Sequence, residues 1–75
     1  MFKKFTKSEW EELTGMEVDM ISLKDEDVVA IYEKMSEDGG CFVGCKYKDG
    51  TYSVVGAGID RFVSYADMFR IVMAG

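Results

Sequence analysis

The sequence predicts a small two-layer α+β domain, and three observations carry that expectation. Capping-box patterns open two stretches with helical spacing, an Asp-Gly dipeptide joins two β-rich runs, and five Phe, four Tyr and one Trp within 75 residues supply a core. The expected order is α-β-α-β-β-α, one domain over residues 1–75. It holds a three-stranded sheet containing a β-hairpin over 41–59, with helices packed mainly on one face.

The first helix is placed by Thr6-Lys7-Ser8-Glu9, a capping box with Thr6 as N-cap and Glu9 reaching back from the third helical position. Phe5 and Trp10 stand at the two positions of a hydrophobic staple, and Trp10 and Leu13 share one face. The helix runs from Lys7 to Thr14, and Gly15 ends it in the left-handed position usual after a helix. Met16-Glu17-Val18-Asp19-Met20 then alternates apolar and polar, which predicts a short strand.

From about Asp25 the period changes. Val28, Ile31, Tyr32 and Met35 follow the i, i+3, i+4, i+7 spacing of an amphipathic helix. Asp25, Glu26 and Asp27 suit the positive end of its dipole, and Gly39-Gly40 supplies the stop. Asp49-Gly50 predicts a two-residue hairpin turn between runs 41–48 and 51–59, setting Cys45 opposite Val54 and Tyr47 opposite Tyr52. One face then carries Cys41, Val43, Cys45, Tyr47, Tyr52 and Val54. The other carries Phe42, Val55 and Ala57 beyond a polar end. A first strand parallel to the second would need a right-handed crossover through the central helix. Ser64-x-x-Asp67 caps a last helix whose apolar side is Tyr65, Met68, Phe69, Val72 and Met73.

Composition bears mainly on catalysis. There is no histidine, which removes Ser-His and Cys-His nucleophile activation, the commonest general base near neutral pH and the usual nitrogen ligand of zinc. Cys41 and Cys45 lie on one face of a strand at a span of about 13 Å, beyond disulfide reach, and are expected as reduced, buried residues. The pairs Glu11/Glu12 and Asp25/Asp27 are close in sequence, but capping and solvation explain them better than acid–base chemistry. Gly56-Ala57-Gly58 lacks the third glycine of a dinucleotide turn, Arg61 standing in its place, so a bulge or close helix contact is expected there. Residues 40–47 lack the basic opening and stacking aromatics of an RNA-recognition strand. No enzyme, metal or cofactor is expected.

Binding is the remaining class. Residues 8–38 hold eleven acids against Lys24 and Lys34, a balance of −9 that the rest of the chain offsets to a net charge of −5. A field of that sign repels phosphate and steers basic partners in, so no direct nucleic-acid binding is expected. The reading is a non-enzymatic, cytoplasmic, phage-type inhibitor that mimics nucleic acid, in the manner of small anti-CRISPR proteins. It would occupy the basic surface of a nucleic-acid-binding enzyme through Glu11, Glu12, Asp25, Glu26, Glu33 and Glu37. The alternative is an adaptor or homodimer using an apolar sheet face of Phe42, Val55 and Ala57. No apolar run approaches the roughly 20 residues needed to span a bilayer, and no membrane partner is expected.

Overall fold

Five antiparallel strands form a single sheet in the computed structural model, which describes residues 1–24, 27–35 and 40–75. In order these are β1 (Phe2–Phe5), α1 (Lys7–Thr14), a 3₁₀ turn (Val18–Met20), β2 (Val28–Lys34), β3 (Val43–Tyr47), β4 (Tyr52–Gly56), β5 (Ile59–Val63) and α2 (Tyr65–Ala74). Each strand pairs with the next in sequence, so the sheet is a meander without the crossover expected from the sequence. The chain is α+β. The α-β-α-β-β-α order and the three-stranded sheet are both overturned.

The central element is the largest correction. Val28 to Lys34 is a strand, not a helix, and it pairs with β1 on one side and β3 on the other. Val28 and Ile31 face one core cluster while Ala30 and Tyr32 face another, with a register shift between Val28 and Ala30. A strand buried on both faces reads as an apolar run, and its spacing then matches a helix by accident. The local residues agree with the strand, since Val, Ile and Tyr favour a pleated surface. Asp25 and Glu26, expected at the helix start, and Gly39 of the expected stop lie outside the described residues.

Both helices form as their caps predict. The Thr6 hydroxyl accepts from the Glu9 N–H and the Glu9 carboxylate accepts from the Thr6 N–H, while Gly15 takes φ 71°. Ser64 Oγ accepts from the Asp67 N–H at 3.2 Å. The helices lie on opposite faces of the sheet rather than one. Trp10 joins Phe5, Val18, Ile21, Ile31, Cys45 and Tyr47 on the first face. Met68 and Val72 of α2 pack with Ala30, Tyr32 and Val54 on the second. The expected strand at Met16–Met20 is the 3₁₀ turn, where Val18 alone is buried and Met16 and Met20 are exposed.

The hairpin is present with a different turn. Gly50 N–H donates to Tyr47 C=O, Tyr47 N–H donates to Thr51 C=O, and Gly50 has φ 88°. This is a three-residue loop with glycine in the left-handed position, not a two-residue one. The extra residue places Cys45 opposite Ser53 and Lys46 opposite Tyr52. A one-residue slip reverses every side chain of a strand. Ser53 and Val55 therefore face the α1 side, and Tyr52 and Val54 the α2 side. The Gly56–Gly58 segment is a second tight turn, with φ 46° at Ala57 and 84° at Gly58, so the run expected over 51–59 ends at Gly56 and a strand not expected from the sequence, β5, follows from Ile59.

Candidate functional site

The described acids of α1 and the 3₁₀ turn lie on one side of the sheet. Residues 7–20, which build α1 and the 3₁₀ turn, carry Glu9, Glu11, Glu12, Glu17 and Asp19 against Lys7 alone. Glu12, Glu17 and Asp19 are exposed there beside exposed Leu13 (61%), Met16 (40%) and Met20 (69%). This layer therefore combines carboxylates with exposed apolar side chains, two of them flexible methionines.

The six acids expected as contacts do not all join it. Glu12 is exposed on α1. Glu11 is half-buried, and its Oε2 accepts from the Val18 N–H at 2.9 Å, fastening the 3₁₀ turn to α1. Glu33 on β2 accepts from Trp10 Nε1 at 2.6 Å, so it anchors the helix to the sheet. Asp25, Glu26 and Glu37 lie outside the described residues. Sequence reasoning missed Leu13, Met16 and Met20. The spacing of Leu13 from Trp10 predicts only a shared helix face, and the alternation over Met16–Met20 predicts a strand, so neither marks these residues as exposed.

The alternative interface is dispersed. Phe42 packs against the α2 cluster, Val55 against the Trp10 cluster, and Ala57 is exposed at the tip of the β4–β5 turn. These three residues share no face. The Trp10 cluster covers Val55, whereas Leu13 on the same helix points to solvent.

The opposite face has another character. By strand alternation it presents Lys4, Lys34, Lys46 and Arg61, with no acid among the described strand residues that share it. Its aromatics run without a break. Phe69 lies 4.6 Å from Phe2, Phe2 5.2 Å from Tyr32, Tyr32 6.2 Å from Tyr65, and Tyr65 5.3 Å from Tyr52. Lys46 Nζ stands 5.9 Å over the Tyr52 ring. Desolvation, with a smaller contribution from Tyr52 and Tyr65, raises the Tyr32 hydroxyl above the usual phenol range.

An open groove of about 770 Å³ adjoins this face, walled by Lys24, Thr51, Tyr52, Phe62, Val63 and Tyr65. Lys24 is held in place there by Asp49 and Thr51, and its Nζ lies 5.0 Å from the Tyr47 ring centre. The lysine and threonine hydrogen bonds hold the Asp49 carboxyl well below the usual carboxylate range. Tyr47 Oη accepts from the Leu23 N–H and pairs with Ser53 Oγ at 2.7 Å, a buried arrangement that ties the segment before β2 to the sheet. Each of these shifted or buried groups has a structural partner. Among the described residues, no three His, Cys, Asp or Glu side chains gather as metal ligands, and no buried side-chain polar atom lacks a partner.

No family model, curated protein or solved structure matches this chain.

Proposed function

We propose that the chain is a non-enzymatic protein-binding module that docks its α1 and 3₁₀ layer on the basic surface of a nucleic-acid-binding protein. The observation that supports this reading is the exposure of Glu12, Glu17 and Asp19 on the same layer as Leu13, Met16 and Met20. Carboxylates steer the encounter and suppress wrong partners, while desolvated apolar anchors supply most of the affinity. A compact acidic layer on a nucleic-acid-binding surface competes with the phosphate backbone and so acts as a competitive inhibitor. Small phage-type inhibitors of nucleases and CRISPR effectors work in that manner.

The test is capture of partners from host lysate at about 50 mM and about 300 mM salt, over which the Debye length falls from about 14 Å to about 6 Å. The wild-type chain is compared with a Glu12→Lys, Glu17→Lys, Asp19→Lys triple variant. A basic nucleic-acid-handling protein, held by wild type at low salt and released both by the variant and by high salt, supports the reading. A partner held equally by the variant, or recovery of the chain's own copies alone, contradicts it.

A further inference from the structure

The lysine and tyrosine face under α2 is independent of the acidic layer, and we propose that it binds single-stranded nucleic acid. Net charge argues against such binding only if the charges are mixed on one surface. Here the sheet stands between them, with Glu12, Glu17 and Asp19 on the α1 side and Lys4, Lys34 and Lys46 on the α2 side.

Three features select this occupant. The described strand residues on this face include cations and no acids, and Asp67 on the adjoining helix is neutralised by Arg70 at 2.7 Å. That is the charge complement of a phosphate backbone. Tyr65 and Phe69, one helical turn apart on α2, are 46% and 41% exposed, and Tyr52 is half-buried beside Lys46. Exposed rings next to cations form the stacking platform on which successive bases rest, and every base offers a π-face, so binding is tolerant of sequence. The geometry is also prearranged. Phe69, Phe2, Tyr32, Tyr65 and Tyr52 hold one another at ring distances from 4.6 to 6.2 Å, so little side-chain freedom remains to be lost on binding. An acidic protein segment would match the lysines but gain nothing from the rings beyond apolar contact.

The probe is a fluorescein-labelled thymidine oligonucleotide of about 12 nucleotides, long enough for one such platform, followed by anisotropy with the full chain. Three phosphate contacts, one for each lysine, give a slope of about −2 in log K against log salt, since single strands contribute about 0.7 per contact. Tyr65→Ala and Phe69→Ala should each weaken binding by about fivefold or more, the range measured for a lost base stack. Lys4→Glu and Lys46→Glu should weaken it and flatten the slope. The Glu12, Glu17, Asp19 triple reversal should leave it intact or tighten it. Circular dichroism of each variant separates lost contacts from lost fold. No binding at about 100 μM chain, the upper end of non-specific affinity, would overturn the proposal. So would equal binding of polyglutamate of matched length, which assigns the face to an acidic protein instead. Failure here leaves the acidic-layer reading standing, because Lys4, Lys46, Tyr65 and Phe69 lie outside that layer.

Discussion

Burial pushes the Cys45 thiol up to about 12 from about 9, while Cys41, four residues away, is exposed. The sequence expectation of two buried thiols therefore holds for one. The Cys45 Sγ donates to the Ile21 carbonyl at 3.8 Å inside the first core. In the native protein at about pH 8, a thiol reagent should modify one cysteine rapidly and the second only after denaturation, because thiolate and access are both required. Two fast equivalents would contradict this packing. The folded state disfavours the Cys45 thiolate, so stability is intact below about pH 9 and is lost as pH rises towards 12. Cys45→Ala should flatten that alkaline slope in denaturant titrations. Glu9 works in the opposite direction. The Thr6 backbone N–H, then its hydroxyl, hold the Glu9 carboxyl below its usual range, so this contribution is lost as pH falls through that range. Gly44 faces α2, and an added Cβ would stand 2.5 Å from Met68 Sδ. Gly44→Ala forces the buried Met68 to move and should cost about 1–3 kcal/mol by chemical denaturation.

At the scale of the element, the two helices were legible because caps are local. A hydroxyl and a carboxylate three residues apart satisfy backbone donors whatever the rest of the chain does. The strands were not legible for reasons that differ from one to the next. Phe2 and Phe5 in β1 point to opposite faces, so the run Phe-Lys-Lys-Phe has no period of two to read. In β2, both faces are buried and the alternation disappears. In the β3–β4 hairpin, Asp-Gly correctly marked a turn, but one further loop residue moved Tyr52 and Val54 to the opposite side. The β4–β5 turn holds a testable strain. Ala57 has φ 46°, and a left-handed alanine costs about 1 kcal/mol relative to a residue that tolerates it. Ala57→Asn creates the Asn-Gly pair favoured where both central residues have positive φ, and it should stabilise the fold by about 0.5–1 kcal/mol. A loss of stability would show that Ala57 makes contacts that this turn geometry does not require. Gly56 beside it has φ 133°, and a Cβ there would overlap the Cys41 carbonyl. Gly56→Ala should therefore destabilise by about 3 kcal/mol or more, since overpacking is added to backbone strain.

At the scale of the whole molecule, composition correctly signalled an acidic first half, but charge counted along the chain is not charge arranged in space. Glu11 and Glu33 were expected to contact a partner, and the fold uses them inside, on Val18 and Trp10. A carboxylate seven residues before its donor, or 23 residues after it, leaves no local pattern to read. The lysines have the converse history. Lys4, Lys34 and Lys46 are scattered in sequence and separately unremarkable, and only the pairing of β1, β2 and β3 brings them to one face. Described acids on one side of the sheet and lysines on the other give the chain a polar axis. Such an axis orients it in the field of a partner before contact. Salt should therefore change the association rate more than the dissociation rate for docking through the acidic layer.

The most direct test is calorimetric titration of the basic protein captured at low salt against three forms of the chain. These are wild type, the Glu12→Lys, Glu17→Lys, Asp19→Lys variant, and a Lys4→Glu, Lys46→Glu variant. Docking through the α1 and 3₁₀ layer predicts affinity at least about tenfold weaker for the first variant, equivalent to about 1.4 kcal/mol, and near wild type for the second. Unchanged affinity for the acid reversal, or a loss confined to the lysine variant, would contradict the account.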